Sequence, residues 1–419
     1  MSDTLDLLLR RCRLPSGAGP IDLGIRAGRI VLAPPIDGAA VETIDVHGRL
    51  VTPGLVEAHI HLDKALLSDR VATTAGTLEE AIRLTGEVKR GFTREDILAR
   101  ARRVLDMAIV QGTTAMRAHV EVDPIVELIG LDAMLELRRE YAPALDLQLC
   151  AFAQEGIVQA PGTENLLRRA LGLGADLVGG CPYNDTDAMA HIDIVFSLAE
   201  AFDCDVDFHV DFFDEPEHLH INEIVRQTLR RGWQGRVTVG HLTELAGLPK
   251  WDQEAIVADI ATAGIGVVCL PATDLYLMGR HDSMNVRRGL TPVRRFLARA
   301  VPVALASNNI RNPFTPVGTA DLAHMTFLAA VAAHMGTPEE LRQLLAMVTT
   351  HPARLLGLSD YGLAEGCRAD LVVWDCQRVE DVPASLPGRV LVVKNGRVTV
   401  TSERRVQEHW REKGDRGGP

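Results

Sequence analysis

Two patterns of apolar and polar positions alternate along the chain. Over the first fifty residues short apolar runs are broken by glycine turns. IDLGIRAGRIVLA predicts a hairpin through Ala27-Gly28, and ETIDVHGRLVTPG predicts a second strand pair ending at Pro53-Gly54. The same pattern returns in GCRADLVVWD and GRVLVVKNGRVTVT, where Asn395-Gly396 is a strong two-residue hairpin signal. Neither end holds enough strands to close a core alone. The economical arrangement is one small β-sandwich built from both chain ends, residues 1–52 and 356–402, with a larger domain inserted at 53–355 and a polar tail at 403–419.

Within the insertion, apolar runs alternate with amphipathic stretches such as REDILARARRVLDMAIVQG and PVRRFLARAV, which argues βα units around a parallel sheet. The runs are LVTPGLVEAHIHL, TTAMRAHVEV, LDLQLCAFAQ, ADLVGGCPY, CDVDFHVDF, RVTVGHLTEL, IGVVCLPATDL and VPVALASNN. Eight runs, each ending in polar or ionisable residues, predict an α/β fold of the (β/α)8 TIM-barrel type, with its active site at the C-terminal ends of the strands. A doubly wound sheet is the runner-up, but no GxGxxG follows the first run.

Composition narrows the partners. The 419 residues carry 44 Lys+Arg against 56 Asp+Glu, a net charge of -12, and the basic residues are scattered rather than striped. Only 4% are aromatic. A nucleic-acid or anionic-membrane surface is therefore not expected, and small molecules are. Seven cysteines without paired close spacing imply neither a disulfide framework nor a CxxC knuckle, which fits a reducing cytoplasm. The N-terminal MSDTLDLLLRRCRL has too short an apolar stretch for a signal peptide, and no run approaches a membrane span. The Gly-rich REKGDRGGP at the C-terminus is expected to fray and is given no role.

His59 and His61 lie two apart at the end of the first barrel run, so a strand presents both imidazoles on one face. His209 stands at the end of the fifth run and His241 at the end of the sixth. Histidines recurring at the C-terminal ends of strands one, five and six predict a metal site. Asp211, two residues past His209, is expected on the same inward face as a proton acceptor. Arg117 and His119 share one face of strand two, where they can hold an anionic or carbonyl group or, for the arginine, an ion pair with Glu121. Arg311, in the loop after strand eight, can bind a substrate oxygen or remain a solvated loop residue. An imidazole-rich site of this kind takes zinc or iron. Cys181 reads as a packed small residue, and Asp274 as a helix N-cap outside the site.

PGLVEAHIHLDKA, GTTAMRAHVEVDP, LCAFAQEGI, FHVDF, GHLTEL, the GRHD…RRGLTPV stretch, SNNIRNPFTPVGTADL and HPARLLGL…YGLAEGCRADLVV together make the chain resemble the amidohydrolase superfamily. The resemblance spans nearly its whole length and points to the branch of cytosine deaminase and N-isopropylammelide hydrolase. It implies a distorted (β/α)8 barrel with a small β-sandwich, and a homo-oligomer. It also implies His59, His61 and His209 as metal ligands, His241 over the reacting carbon, the strand-eight position, here Asn308, as the fourth ligand, and a single ion, since GGCPYND at the end of strand four lacks the bridging lysine or glutamate of the superfamily's two-metal members. Lys64 matches a lysine of the triazine-side-chain hydrolases, and Gln154 a glutamine that bonds the substrate's ring amide.

Two departures bear on the chemistry. Asn308 replaces the aspartate of the deaminases, and an amide can coordinate but cannot act as a base near neutral pH. Phe212 stands where they keep a glutamate that shuttles protons. The expected activity is metal-dependent hydrolysis of a C–N bond of a cyclic amide, ureide or amino-substituted N-heterocycle through a metal-bound hydroxide. His241, Asp211 and Lys64 are the catalytic group, and Gln154, Arg117, His119, Phe212 and Arg311 line the substrate. The alternatives are a deaminase that releases ammonia and a non-catalytic binding protein on the same barrel.

Overall fold

The computed structural model describes residues 4–17, 19–32, 40–216 and 219–409. Strands β1 (Leu5–Cys12), β2 (Ile21–Arg26), β3 (Arg29–Leu32) and β4 (Ala40–Asp45) form one sheet in the order β3-β2-β1-β4. The β2–β3 hairpin turns at Ala27 and Gly28, both with positive φ, as its sequence predicts. The next prediction fails. β4 runs parallel to β1, while β5 (Val51–Pro53) crosses to a second sheet and pairs antiparallel with β14 (Leu371–Trp374). His47 and Gly48, at positive φ between them, turn the chain from one sheet to the other instead of closing a hairpin.

The barrel follows. Strands β6 (Leu55–Ile60), β7 (Thr113–Glu121), β8 (Asp146–Ala153), β9 (Leu177–Gly180), β10 (Asp205–Val210), β11 (Val237–His241), β12 (Gly266–Cys269) and β13 (Val303–Leu305) are parallel neighbours in chain order. All eight fall inside the eight apolar runs, and helices return the chain between each consecutive pair. Each strand is buried on both faces, which is why the runs read as continuous rather than alternating. β14, β15 (Arg389–Lys394) and β16 (Arg397–Thr401) complete the second sheet, with Asn395 and Gly396 in the β15–β16 turn. Leu7, Leu9, Leu23 and Ile25 from one end of the chain share a core with Leu371, Val373, Leu391 and Val393 from the other. The architecture is a distorted TIM barrel carrying a sandwich made by both chain ends.

The barrel closes at a narrow seam. β13 and β6 form no continuous ladder; an isolated bridge pairs Ile60 with Asn308. The Asn308 amide donates to the His59 carbonyl and the His61 amide to the Asn308 carbonyl, both at 2.9 Å. At the base of β6, a Cβ on Gly54 would lie 2.2 Å from Thr114 Oγ1, so only glycine permits this approach of β6 to β7. Between β6 and the helix Arg94–Val110 the chain inserts a further helix, Leu78–Val88, which Thr77 caps by accepting the Glu80 amide. Leu78 and Ala81 lay it over Phe212 and Phe314 at the C-terminal mouth of the barrel. No helix among the described residues is long and apolar enough to cross a membrane. The sequence REKGDRGGP lies outside the described residues.

Candidate active site

β6, β7 and β10 deliver four imidazoles to one buried point: His59 and, two residues on, His61 just past β6, with His119 from β7 and His209 from β10. Nε2 of His209 lies 2.9 Å from Nε2 of His59 and 3.0 Å from Nε2 of His61. His119 stacks on His59 with ring centroids 4.0 Å apart, and ring nitrogens of His59, His119 and His209 all lie within 4.8 Å of one another. Burial, then the neighbouring imidazoles and Lys64, push the pKa values of His59 and His61 well below the ordinary histidine value, and burial with the surrounding imidazoles does the same for His209. Neutral rings keep their lone pairs. The Nδ1 atoms of all four histidines have no hydrogen-bond partner within the chain. A buried cluster of neutral nitrogen donors at this spacing fits a divalent cation of the zinc or iron type.

Asn308 sits beside the cluster on the seam, buried, with its Oδ1 accepting from Asn309 Nδ2 at 2.9 Å. His241 and Asn308, with Asp211, have positive φ where the chain leaves its strand, a conformation costing roughly 1 kcal/mol for a non-glycine residue. Such turns re-aim side chains at strand ends.

His241 is held on two sides. Its Nδ1 donates to Asp274 Oδ1 at 2.8 Å, which fixes the proton on Nδ1 because a carboxylate can only accept. Phe212 stacks on its face, centroids 3.7 Å apart and planes 26° apart. Burial raises the Asp274 pKa, and His241 works against that rise. Asp274 reaches His241 from the short helix Pro271–Leu277 after β12, so it is a partner of the site and not an N-cap.

Lys64 follows the HxH in the turn after β6. Its ammonium donates to Glu121 Oε1 at 2.7 Å and to Gln154 Oε1 at 3.1 Å, 4.7 Å from the centre of the Phe314 ring. A lysine has no acceptor, so the Gln154 oxygen must face it, leaving the Gln154 NH2 as a donor near Cys181 Sγ at 3.7 Å. On its other oxygen Glu121 accepts from Lys89, which also reaches Asp123 and Glu155. Burial opposes the Glu121 charge, but Lys64 and Lys89 outweigh it and hold its pKa below the usual range.

Comparison with known proteins places this arrangement. The model of a family described as the amidohydrolase family matches residues 42–400. The chain belongs to the amidohydrolase family. It is accordingly a metal-dependent hydrolase of C–N bonds. It is 30% identical over 417 residues to an N-isopropylammelide isopropyl amidohydrolase of Pseudomonas sp. (strain ADP), covering 96% of this chain and 99% of that protein. It is 30% identical to a pterin deaminase of Rhizobium rhizogenes over 364 residues, 86% of this chain and 83% of the relative. A 5-methylcytosine deaminase from Klebsiella pneumoniae liganded with 5-fluorocytosine superposes with a TM-score of 0.91 at 29% identity, over 96% of this amidohydrolase and 99% of that chain.

The other sequence candidates are distributed unevenly. Arg117 donates from all three nitrogens into the barrel interior, to Gln148, to Asp207 and Thr238, and to the Leu355 carbonyl. Its ion pair is with Asp207, because Glu121, two pleats further along β7, pairs with Lys64 and Lys89. His119 joins the metal-capable cluster and lies 3.3 Å from Asp207. Asp211 leaves the strand at φ 50°, so the period of two ends at His209; its carboxylate accepts the amides of His220 and Ile221 at the start of the helix Ile221–Arg231. Arg311 donates to the Gly318 carbonyl and leans on Met107 Sδ, folding its own loop. A cavity of about 440 Å³ is lined in part by Thr77, Leu78, Tyr183, His220, Glu244 and Met278. Asp274 and Lys89 were not foreseen as site residues; the only sequence signal for Asp274 is its place at the end of the seventh run.

Proposed function

We propose that this amidohydrolase hydrolyses an exocyclic or ring C–N bond at an sp2 carbon of an amino- or oxo-substituted N-heterocycle. The observation that carries the reading is the His59–His61–His209 nitrogen cluster lying beside a carboxylate-backed His241, with two donors, Lys64 and Gln154, at the same mouth. One divalent ion, zinc or iron, would be held by His59, His61, His209 and Asn308, and would supply Lewis acidity toward water and the ring carbon. His241 accepts a proton at Nε2, its cationic form stabilised by Asp274, and returns it to the departing nitrogen. Lys64 Nζ and Gln154 Nε2 donate to a ring oxygen or nitrogen and fix the ring's orientation. Phe212 carries no titrating group, so it excludes water from His241 rather than moving protons. Asp211 acts through the helix it caps, and Arg117 and Arg311 act through the barrel interior and the loop they hold.

Release of a substituted amine is supported by the N-isopropylammelide relative. Release of ammonia is the second reading, supported by the backbone likeness to the 5-methylcytosine deaminase. Seven unpaired cysteines support a cytoplasmic setting, and the family resemblance supports a homo-oligomer. The test is metal analysis of the purified protein with a panel of cytosine, isocytosine, creatinine, hydantoin, pterin and N-isopropylammelide, scored for ammonia and amine separately. One metal per chain with turnover of a panel member supports the reading. A fully metal-loaded protein that turns over none of these rings but cleaves an acyclic amide overturns it.

A further inference from the structure

Lys89 takes no part in the chemistry proposed above, yet it is among the most deeply buried cations of the chain, with none of its side chain exposed. It follows the helix Leu78–Val88, the segment laid over Phe212 and Phe314. Its ammonium ends among three carboxylates from the C-terminal ends of β7 and β8: Asp123 at 2.6 Å, Glu155 at 2.7 Å and Glu121 at 3.1 Å. Glu121 is the shared member. Its Oε2 meets Lys89 and its Oε1 meets Lys64, which donates onward to Gln154.

Two ammoniums therefore face three carboxylates, Glu121 and Asp123 buried and Glu155 partly exposed, with the buried Asp63 carboxylate accepting the Glu121 amide beside them. Without Lys89, three carboxylates would face Lys64 alone, and buried like charges are costly unless a cation lies between them. Lys64 would be drawn toward Asp123 and Glu155 and away from Gln154. We propose that Lys89 is a positioning residue for Lys64, so that through Glu121 the seating of the helix Leu78–Val88 and the placement of the Lys64 ammonium are set together. The inference rests on the reading of Lys64 as a substrate-facing donor.

A double-mutant cycle on the full-length, metal-loaded enzyme tests it. Wild type, Lys89→Met, Lys64→Met and the double variant are assayed with N-isopropylammelide, or with the panel compound turned over fastest. Metal content and hydrogen exchange of the amides of residues 78–88 are measured on the same samples. Lys89→Met is expected to keep its metal, to speed exchange in that helix, and to lower kcat/KM about tenfold, mainly through KM, as for coupled members of one ion-pair network. In the Lys64→Met background it should still speed exchange but change kcat/KM by less than about twofold. Additive losses would mean that Lys89 acts on the fold alone and would overturn the inference. If Lys64→Met leaves kcat/KM untouched, the reading of Lys64 itself fails, an outcome distinct from additivity. Should Lys89→Met not fold, the pair Lys89→Met with Glu155→Gln keeps the excess of one carboxylate and runs through the same cycle.

Discussion

Replacing Asp274 with asparagine changes one atom at the His241 contact and removes one charge. The carboxylate lies 2.8 Å from Nδ1 in a wholly buried setting, so it counts most when the imidazole becomes cationic. Two unit charges about 4 Å apart interact by about 4 kcal/mol at an effective dielectric constant near 20. Asparagine keeps a hydrogen-bond acceptor, so part of this survives, and bonds to charged groups contribute about 1.5–3 kcal/mol net. A loss of about 2–3 kcal/mol at the transition state lowers kcat about 30- to 150-fold. KM should move little, because Lys64 and Gln154 stand apart from this pair. The assay is steady-state kinetics on protein shown to retain its metal and its melting temperature. A kcat within about threefold of wild type would refute the assignment of His241 as a residue that cycles through a cation.

His59→Ala should remove bound metal and activity together, as read by elemental analysis; a variant that keeps one metal per chain would place the ion elsewhere. Phe212→Ala empties a buried aromatic site among Leu78, Ala81, Leu277 and Phe314. It should cost about 3–5 kcal/mol of stability in denaturant melts and widen the tolerance for bulky substituents on the ring. Asp185 is bonded by His191 Nδ1 and by the amides of Ile157, Val158 and Gln159. Burial raises its pKa, but these bonds prevail and hold it below the aspartate range, so its stabilisation is present at neutral pH and lost as pH falls below about 4. Asp185→Asn should therefore lower the melting temperature at pH 7, with the gap to wild type narrowing toward pH 3; a gap independent of pH would contradict the sign.

The barrel was legible because each strand is buried on both faces and leaves a continuous apolar run, a signal local enough to survive without its partners. The histidines were legible for the same reason, since their spacing follows strand geometry. What failed was set by pairing or by turns. β4 and β5 look like a hairpin in sequence, yet each finds a longer-range partner, β1 and β14. Asp211 breaks its period because its backbone turns left-handed to cap a helix. Asp274 lies 33 residues from His241 and Lys89 lies 32 from Glu121, separations at which only the folded chain brings partners together. Arg117 carried the right face but the wrong depth, since periodicity gives direction and not the layer at which a side chain ends.

The seam between β6 and β13 also orders events during synthesis. The HxH strand leaves the ribosome early, His209 about halfway through the chain, and Asn308, which bridges Ile60 and exchanges backbone bonds with His59 and His61, after nearly three quarters of it. A nascent chain thus carries three histidines of the cluster, His59, His61 and His119, long before it can complete the ring that encloses them. The four imidazoles and Asn308 stand together only once the last barrel strand has docked against the first.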